Sequence, residues 1–581
     1  MGIDRGNNTR AVTSVAMIGV FLASVLIFPL LAIYLGNLDQ FAVPLVPVLV
    51  LPLLVLVLVM CAAMLVLTLL ADDVQRRVAA FFAGLSVLCW VQGNLLVWDY
   101  GLLNGRNIDW GQFGTEFAID TAVWLVAGVL LVVLARRNQR LLTQLALTLF
   151  TVQLLACAVA VFNASPQLWT DTHARSSSGP GTLAGFSQEQ NVLHFVTDGF
   201  QSDVFEELIN SAEFGDSYHE GFSGFTYYRE TLGAFPYTRF AVPAFLSGKL
   251  YSNETAKNEY IDAVLAGTTI ISKARENGFE IDVVADGDYL IQRYSHLPYD
   301  QIFDIGDLAD TNGPWQISAQ LLDLSIFRVT PGPAKRYVYR DQKWLLLALA
   351  TDQEALRFKY FTNTNFLRQF GDQMRVDRSA PSYKYIHIMN THDPMVVNAG
   401  CEYAGMAAPS SRGSLTNQSR CTMDTLADIF WKMKQLGIYD NTTILIHADH
   451  GGWVGNYRKG PPVKLLDGNL GGEWVKSLAS PLLAIKPAGA SGPILTSDVQ
   501  ASLLDIPRSL SQIMGWENQF DHASVVSLPE DGVRERYFRF YLWQKNAWST
   551  EYTGPIVEYS INGSHYETEW KRARVFNAPG S

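Results

Sequence analysis

Apolar residues fill the first third of the chain in long runs, and charge stands almost only between them. The runs cover residues 12–35, 43–71, 78–98, 121–135 and 141–164. A helix needs about 20 apolar residues to cross a hydrocarbon core, so the pattern predicts five spans. The fourth run is short and takes Phe117 to Asp120 as its interfacial end. The first is too long for a cleavable signal peptide, and another span follows at once. Arg5, Arg10, Arg76, Arg77, Arg136, Arg137 and Arg140 all fall on one side of these spans, whereas the connections near 37–39 and 99–120 are poor in positive charge. The bias predicts a cytoplasmic N-terminus and everything after residue 165 outside.

Beyond the spans the period changes. Residues 166–190, rich in Ser, Gly and Pro, read as a linker. Short apolar runs then alternate with amphipathic stretches. Residues 191–197, 281–285, 385–389, 443–448 and 481–485 read as buried strands, and 260–277, 422–436 and 499–514 as helices. Gly278 and Gly437 stand just past two helix ends, as C-cap residues do. Alternation of this kind predicts an α/β domain over 191–530, with a mostly parallel sheet covered by helices on both faces. Residues 531–581 read as an extension of it, with strands at 537–543 and 556–566 and a basic tail from Lys571. The stretch Trp315–Phe327 is amphipathic and is expected to pack within the α/β domain rather than on a membrane surface.

Composition sharpens this reading. Of 581 residues, 49% are apolar and 17% charged, and the net charge is −11, which argues against a nucleic-acid binder. Five cysteines in so long a chain exclude a disulfide-stapled small domain.

In open α/β sheets ligands collect at the carboxyl ends of strands. Three predicted strands end in polar residues: Thr197-Asp198-Gly199, Asn390-Thr391-His392-Asp393 and Ala448-Asp449-His450-Gly451. Two carboxylates and two imidazoles at one sheet edge can bind a divalent metal, and the glycines allow sharp turns close to a ligand. Each alone is equally a turn or a structural histidine. His387 and His447, inside strands, read as core or near-site residues rather than ligands.

The segment Asp424–Gly452 (DTLADIFWKMKQLGIYDNTTILIHADHGG) resembles the alkaline phosphatase/sulfatase superfamily, in which helix, turn and strand lead into a metal-binding Asp-His-Gly. Asn191–Asp203 is similar to its first strand, Tyr237–Gly248 (YTRFAVPAFLSG) to its nucleophile segment, and Asp505-Ile-Pro to a late helix. The resemblance spans about residues 190–515. Five spans ahead of such a domain is the layout of lipoteichoic acid synthases and phosphoethanolamine transferases. Sulfatases of the superfamily need Cys or Ser as nucleophile; the matching residue here is Thr238, as in the transferases.

The resemblance implies a bacterial inner-membrane enzyme with a periplasmic catalytic domain, acting as a monomer and without nucleic acid. It would bind a divalent cation, zinc first, with manganese or magnesium admitted, through Asp198, Thr238, Asp449 and His450. Thr238 would attack a phospholipid donor and pass its head group to an envelope glycan or glycolipid. His392 would contact the phosphate or exchange protons, and Arg239 and Lys459 would bind phosphate oxygens. Hydrolysis by the same site, or a silent lipid- or partner-binding homologue, are the alternatives. Two positions depart from the family pattern: Asp198 where Glu is common, and Lys459 near the place where phosphoethanolamine transferases carry a second histidine. Cys401 and Cys421, the only cysteines of the outer domain, are expected to form a disulfide closing a loop of about 21 residues.

Overall fold

The computed structural model describes residues 5–37, 44–100, 108, 110–169, 183–308, 314–340, 344–350, 358–405, 411–456, 458–543 and 550–580. Most of the expected linker, 170–182, lies outside the described residues. The chain divides into two compact units, Met1–Arg175 with Asp310–Glu354, and Ser176–Ala309 with Ala355–Ser581.

Among the described residues the first unit holds five helices long and apolar enough to cross a membrane: Arg10–Gly36, Leu45–Leu67, Asp72–Leu95, Trp110–Arg137 and Gln139–Ala164. A π-helical turn, Ala23–Ile27, interrupts the first. The fourth begins well before its apolar run because the buried Asp120 is fully partnered. Its carboxylate accepts from Gln92 Nε2 (3.0 Å), Trp98 Nε1 (2.8 Å) and the Gly332 backbone N–H (2.7 Å), which offsets the cost of burying the charge. The amphipathic stretch 315–327 lies in the helix Pro314–Val329, which belongs to this unit and not to the α/β domain that surrounds it in sequence. Its apolar stripe of Ile317, Leu321 and Leu322 packs on Leu30, Tyr34 and Val48. Periodicity defined the stripe but could not name its partner.

The second unit is built on an eight-stranded sheet. In chain order its strands are β1 (Asn191–Thr197), β2 (Thr226–Tyr228), β3 (Glu280–Ala285), β4 (Gln301–Asp304), β5 (Ser382–Ile388), β6 (Thr442–His447), β7 (Leu483–Lys486) and β8 (Leu495–Ser497). They lie side by side as β8-β2-β7-β6-β1-β5-β3-β4, and only β7 runs antiparallel to its neighbours. The central strands β1, β5 and β6 are buried along their whole length, which is why they read as unbroken apolar runs. One face (Val192, Val196, Tyr383, Leu445) packs on Phe240, Ala244 and Phe245 of the helix Thr238–Ser247. The other (Leu193, Phe195, Ile386, Ile444) packs on Phe366, Phe370, Leu426 and Phe430 of the helices Lys359–Asp372 and Arg412–Gln435.

The stretch expected as a single helix over 260–277 is two, Lys257–Leu265 and Ile270–Glu276, because Thr269 caps the second through a reciprocal bond with Ser272. The helix expected over 499–514 is shortened to a 3₁₀ turn, Leu503–Asp505, and the helix Ile506–Met514, started by Ser502 as cap. At the C-terminal end, Glu535–Phe540, Ile556–Asn562 and Lys571–Phe576 form an antiparallel sheet, so the expected basic tail is a strand. Cys401 and Cys421 are joined by a disulfide.

Candidate metal centre and nucleophile

β6, β1 and β5 are adjacent and parallel, so their carboxyl ends form one continuous edge. Asp198 follows β1, Asp449 and His450 follow β6, and His392 follows β5. Asp198, Asp449 and His450 are buried, and their ligand atoms lie within 4.8 Å of one another. Two glycines make this possible. Gly199 has φ +72°, a left-handed turn that directs the chain away behind Asp198. Gly451 sits against the next loop so closely that a Cβ would come 1.9 Å from the Ser477 carbonyl oxygen.

Hydrogen bonds aim the free lone pairs at one another. Asp449 Oδ1 accepts from the backbone N–H of Gly199 (3.2 Å) and of His450 (3.0 Å), while Oδ2 is buried without a hydrogen-bond partner. Asp198 Oδ1 is likewise buried and unpartnered. His450 Nδ1 donates to the Gly451 carbonyl (2.8 Å), so its Nε2 lone pair faces Asp449 Oδ2 at 3.5 Å and Asp198 Oδ1 at 3.7 Å. Buried acceptors turned toward each other are costly unless a cation lies between them, so the residues present fit a divalent metal. Burial works to raise the Asp198 pKa, but His392, His387 and His450 outweigh it and hold the carboxyl well below its ordinary value. Burial also works against a charged His450, yet Asp449 and Asp198 raise its pKa.

Thr238 opens the helix Thr238–Ser247, with Tyr237 rather than itself as the cap. Its hydroxyl donates to Asp198 Oδ2 at 3.2 Å. Thr238 is the first residue of that helix, where backbone N–H groups lack intrahelical partners and suit phosphate oxygens. His392 Nδ1 donates to the Asp393 carbonyl (2.6 Å), which leaves Nε2 for proton exchange.

Two residues expected to contact phosphate have other partners in the structure. The Arg239 side chain is buried, with Nε donating to the Tyr289 hydroxyl (3.2 Å) and the guanidinium over that ring. Lys459 is exposed and pairs with Glu473 at 3.0 Å.

His387 and His447 stand near the site as expected, and several residues that support them escaped the sequence reading. The Tyr385 hydroxyl donates to Tyr294 (3.0 Å), and the Tyr294 hydroxyl lies 2.5 Å from His387 Nδ1. His387 Nε2 therefore carries the hydrogen and faces Asp198 Oδ2 at 3.5 Å. A second chain runs from the Tyr383 hydroxyl to His194 Nδ1 (2.8 Å), from His194 Nε2 to His447 Nε2 (2.7 Å), and from His447 Nδ1 to the Ala448 carbonyl (2.9 Å). Burial keeps both imidazoles neutral: it pushes His447 down to about 3 and His194 well below its ordinary value. The signal was a period of two, since Tyr383, Tyr385 and His387 alternate along β5 on one face. Aromatic residues wall the site on the other side. The Tyr237 ring lies 6.4 Å from His450, 5.6 Å from Trp453, 5.2 Å from Tyr541 and 5.6 Å from Trp543, so the C-terminal extension reaches the nucleophile segment.

No family model matches the sequence, and no curated protein matches it. Solved structures are similar in fold. One is a protein in the alkaline phosphatase superfamily from Vibrio parahaemolyticus, at 12% identity, covering 67% of this chain and 83% of that one, with a TM-score of 0.41. The lipoteichoic acid synthase LtaP from Listeria monocytogenes matches at 10% identity over 66% of this chain and 86% of its own, TM-score 0.38. The C-terminal periplasmic domain of EcEptC from Escherichia coli, in complex with Zn, matches at 12% identity over 62% and 91%, TM-score 0.38.

Proposed function

We propose that this protein is a membrane-anchored, metal-dependent phosphotransferase of the alkaline phosphatase/sulfatase superfamily. It moves a phospholipid head group, phosphoethanolamine or phosphoglycerol, to an envelope glycan or glycolipid through a phospho-threonine intermediate. The observation that carries this reading is the Thr238 hydroxyl 3.2 Å from a buried carboxylate whose other oxygen, with Asp449 Oδ2, lacks any hydrogen-bond partner.

Asp198, Asp449 and His450 would hold the cation, zinc in first place, beside Thr238. Bound there, a divalent cation lowers the pKa of a neighbouring hydroxyl and offsets charge on phosphate oxygens. Thr238 Oγ1 attacks the phosphorus, the bond from phosphorus to the diacylglycerol oxygen breaks, and the head group remains on Thr238 as a phosphodiester. The threonine proton must reach the departing diacylglycerol oxygen, and His392 Nε2 is the group assigned to carry it. In the second displacement an acceptor hydroxyl attacks the same phosphorus, and its proton returns to Thr238. The exposed Trp453, tilted against Tyr237, offers a flat surface for a sugar ring, which supports a glycan acceptor over water. Five apolar helices ahead of the α/β unit support a location in the inner membrane of a bacterium, with that unit in the periplasm.

Intact-mass spectrometry after incubation with bacterial phospholipid and zinc tests the reading. An adduct of phosphoethanolamine or phosphoglycerol mass, mapped to Thr238 and absent from Thr238→Ala, is expected. Metal retention without an adduct on any donor, together with release of free head group, would assign a hydrolase instead.

A further inference from the structure

The C-terminal extension carries a buried polar group that the proposed chemistry does not use. His565 and Ser480 are fully buried, and Glu230 is nearly so. His565 Nδ1 stands 3.3 Å from Glu230 Oε2, and its Nε2 stands 3.0 Å from Ser480 Oγ. Burial pushes the imidazole down to about 4, so at neutral pH it is uncharged and carries a single proton. The carboxylate can only accept, so that proton sits on Nδ1, and Nε2 accepts from the Ser480 hydroxyl. The same hydroxyl lies 2.6 Å from the Lys476 carbonyl. Serine, imidazole and carboxylate in this order would activate a hydroxyl that could meet a substrate. Ser480 is sealed off, so the relay can act only on the backbone that carries it.

That backbone is the segment 477–482, and both metal-bearing turns are built against it. The Ser202 N–H donates to the Ser480 carbonyl (2.9 Å), and the Leu482 N–H to the Phe200 carbonyl (2.9 Å). These two bonds hold the turn that follows Asp198. The Gly451 N–H donates to the Leu478 carbonyl (2.9 Å), and the Ala448 N–H to the Leu482 carbonyl (3.0 Å). These two bracket Asp449 and His450.

The extension grips the same region at further points. Lys476 Nζ donates to the carbonyls of Tyr566 (2.7 Å) and Thr568 (3.1 Å). Glu230 Oε1 accepts from the Ser564 hydroxyl (3.1 Å) and from Arg458 Nη1 (3.1 Å), so Glu230 joins the extension to the loop after His450. Gly460, in that loop, lies so close to the Tyr566 carbonyl oxygen that a Cβ would come within 2.1 Å of it. One short loop of the extension, 564–568, therefore holds the chain at 458–460 and again at 476–480.

We propose that His565 is a positioning residue for the metal centre. Through Ser480 it holds the segment 477–482, and with it the turns that carry Asp198, Asp449 and His450. Metal–ligand distances are set to within about 0.2 Å, so a small slip of this segment costs affinity. The extension is thereby part of the centre, although none of its residues is a ligand. The inference rests on the reading of Asp198, Asp449 and His450 as metal ligands, and not on which group is transferred.

Zinc titration and hydrogen exchange of the full-length chain test this, on His565→Phe, Ser480→Ala and the double variant. Each single variant is expected to bind zinc about tenfold more weakly, and the double variant no more weakly than either, since both act through one bond. Without metal, peptides holding Ser202 and Gly451 should exchange about tenfold faster, while those of the central strands Asn191–Thr197 and Ser382–Ile388 keep their rates. His565→Gln, which keeps a polar amide near the place of Nε2, is expected to restore part of both. Losses of zinc affinity that add in the double variant would overturn the proposal. So would an even rise of exchange through the sheet with zinc affinity unchanged, which would make the group a packing feature. Should His565→Phe fail to fold, Ser480→Ala decides, since it removes only a hydroxyl. If wild type binds no zinc, the metal reading itself fails, and wild-type exchange at Ser202 and Gly451 in the variants would then overturn the positioning role as well.

Discussion

The Tyr294 hydroxyl meets His387 Nδ1 at 2.5 Å, and that contact fixes which imidazole nitrogen carries the proton toward the candidate metal centre. Tyr385 donates to Tyr294, so the Tyr294 proton is free only for His387, and Nε2–H turns to Asp198 Oδ2. Outer partners of this kind hold a ligand carboxylate in place. Tyr294→Phe is expected to weaken zinc binding by about 10- to 100-fold while Tm changes little. Isothermal titration with zinc beside a thermal melt checks it; unchanged affinity would make the chain of hydroxyls a packing feature only.

Asp449 gives one carboxylate oxygen to two backbone N–H groups and leaves the other oxygen without a hydrogen bond, so Asp449→Asn should keep the turn but lose the charge. Retained zinc, read by elemental analysis, is expected to fall sharply in Asp449→Asn and in Asp198→Asn. Thr238→Ala should keep most of its zinc and lose the covalent adduct. Loss of both from Thr238→Ala would point to a structural threonine.

Gly451 tolerates no side chain. A Cβ would fall 1.9 Å from the Ser477 oxygen and 2.9 Å from that of Ser480, both backbone atoms that cannot rotate away. Gly451→Ala is expected to cost at least 1–3 kcal/mol, the usual range for overpacking, roughly. It should also displace His450, its chain neighbour, so zinc affinity and Tm should fall together.

The disulfide ties the loop after His392 to the helix Arg412–Gln435 across a separation of 20 residues. Replacing both Cys401 and Cys421 by Ser should cost ~3 kcal/mol by the chain-entropy relation. Faster hydrogen exchange is expected in residues 393–405. An unchanged melt under reducing conditions would argue that the loop is held by its packing alone.

Lys486, at the end of β7, is buried and donates to the carbonyls of Tyr439 (2.9 Å) and Thr442 (3.2 Å). Burial pushes its pKa down to about 8 from 10.5. Below pH 8 folded and unfolded chains both carry the proton, and the full cost of the buried charge is present. Between pH 8 and 10.5 the unfolded chain holds more protons, so the Lys486 contribution to stability rises with pH. Wild type is therefore expected to gain on Lys486→Met as pH goes from 8 to 10, measured by denaturant unfolding at each pH.

Much of this was legible in the chain. The five spans follow from apolar runs alone, because a hydrocarbon core sets a minimum length and punishes charge. The central strands follow from unbroken apolar runs, and Asp198, Asp449 and His450 from their positions where those runs stop. These are local facts: each depends on residues a few places apart.

What tertiary structure decided depends on residues far apart. Thr238 reaches Asp198 across 40 residues because its helix packs on one face of the sheet, and no local pattern states that distance. Arg239, next in the chain, turns to Tyr289 instead. Lys459 is spent on Glu473. The stripe Ile317–Leu322 found its partners among Leu30, Tyr34 and Val48, nearly three hundred residues earlier. An apolar face gains free energy from any surface that excludes water, so sequence can mark the face while only the folded chain selects what covers it.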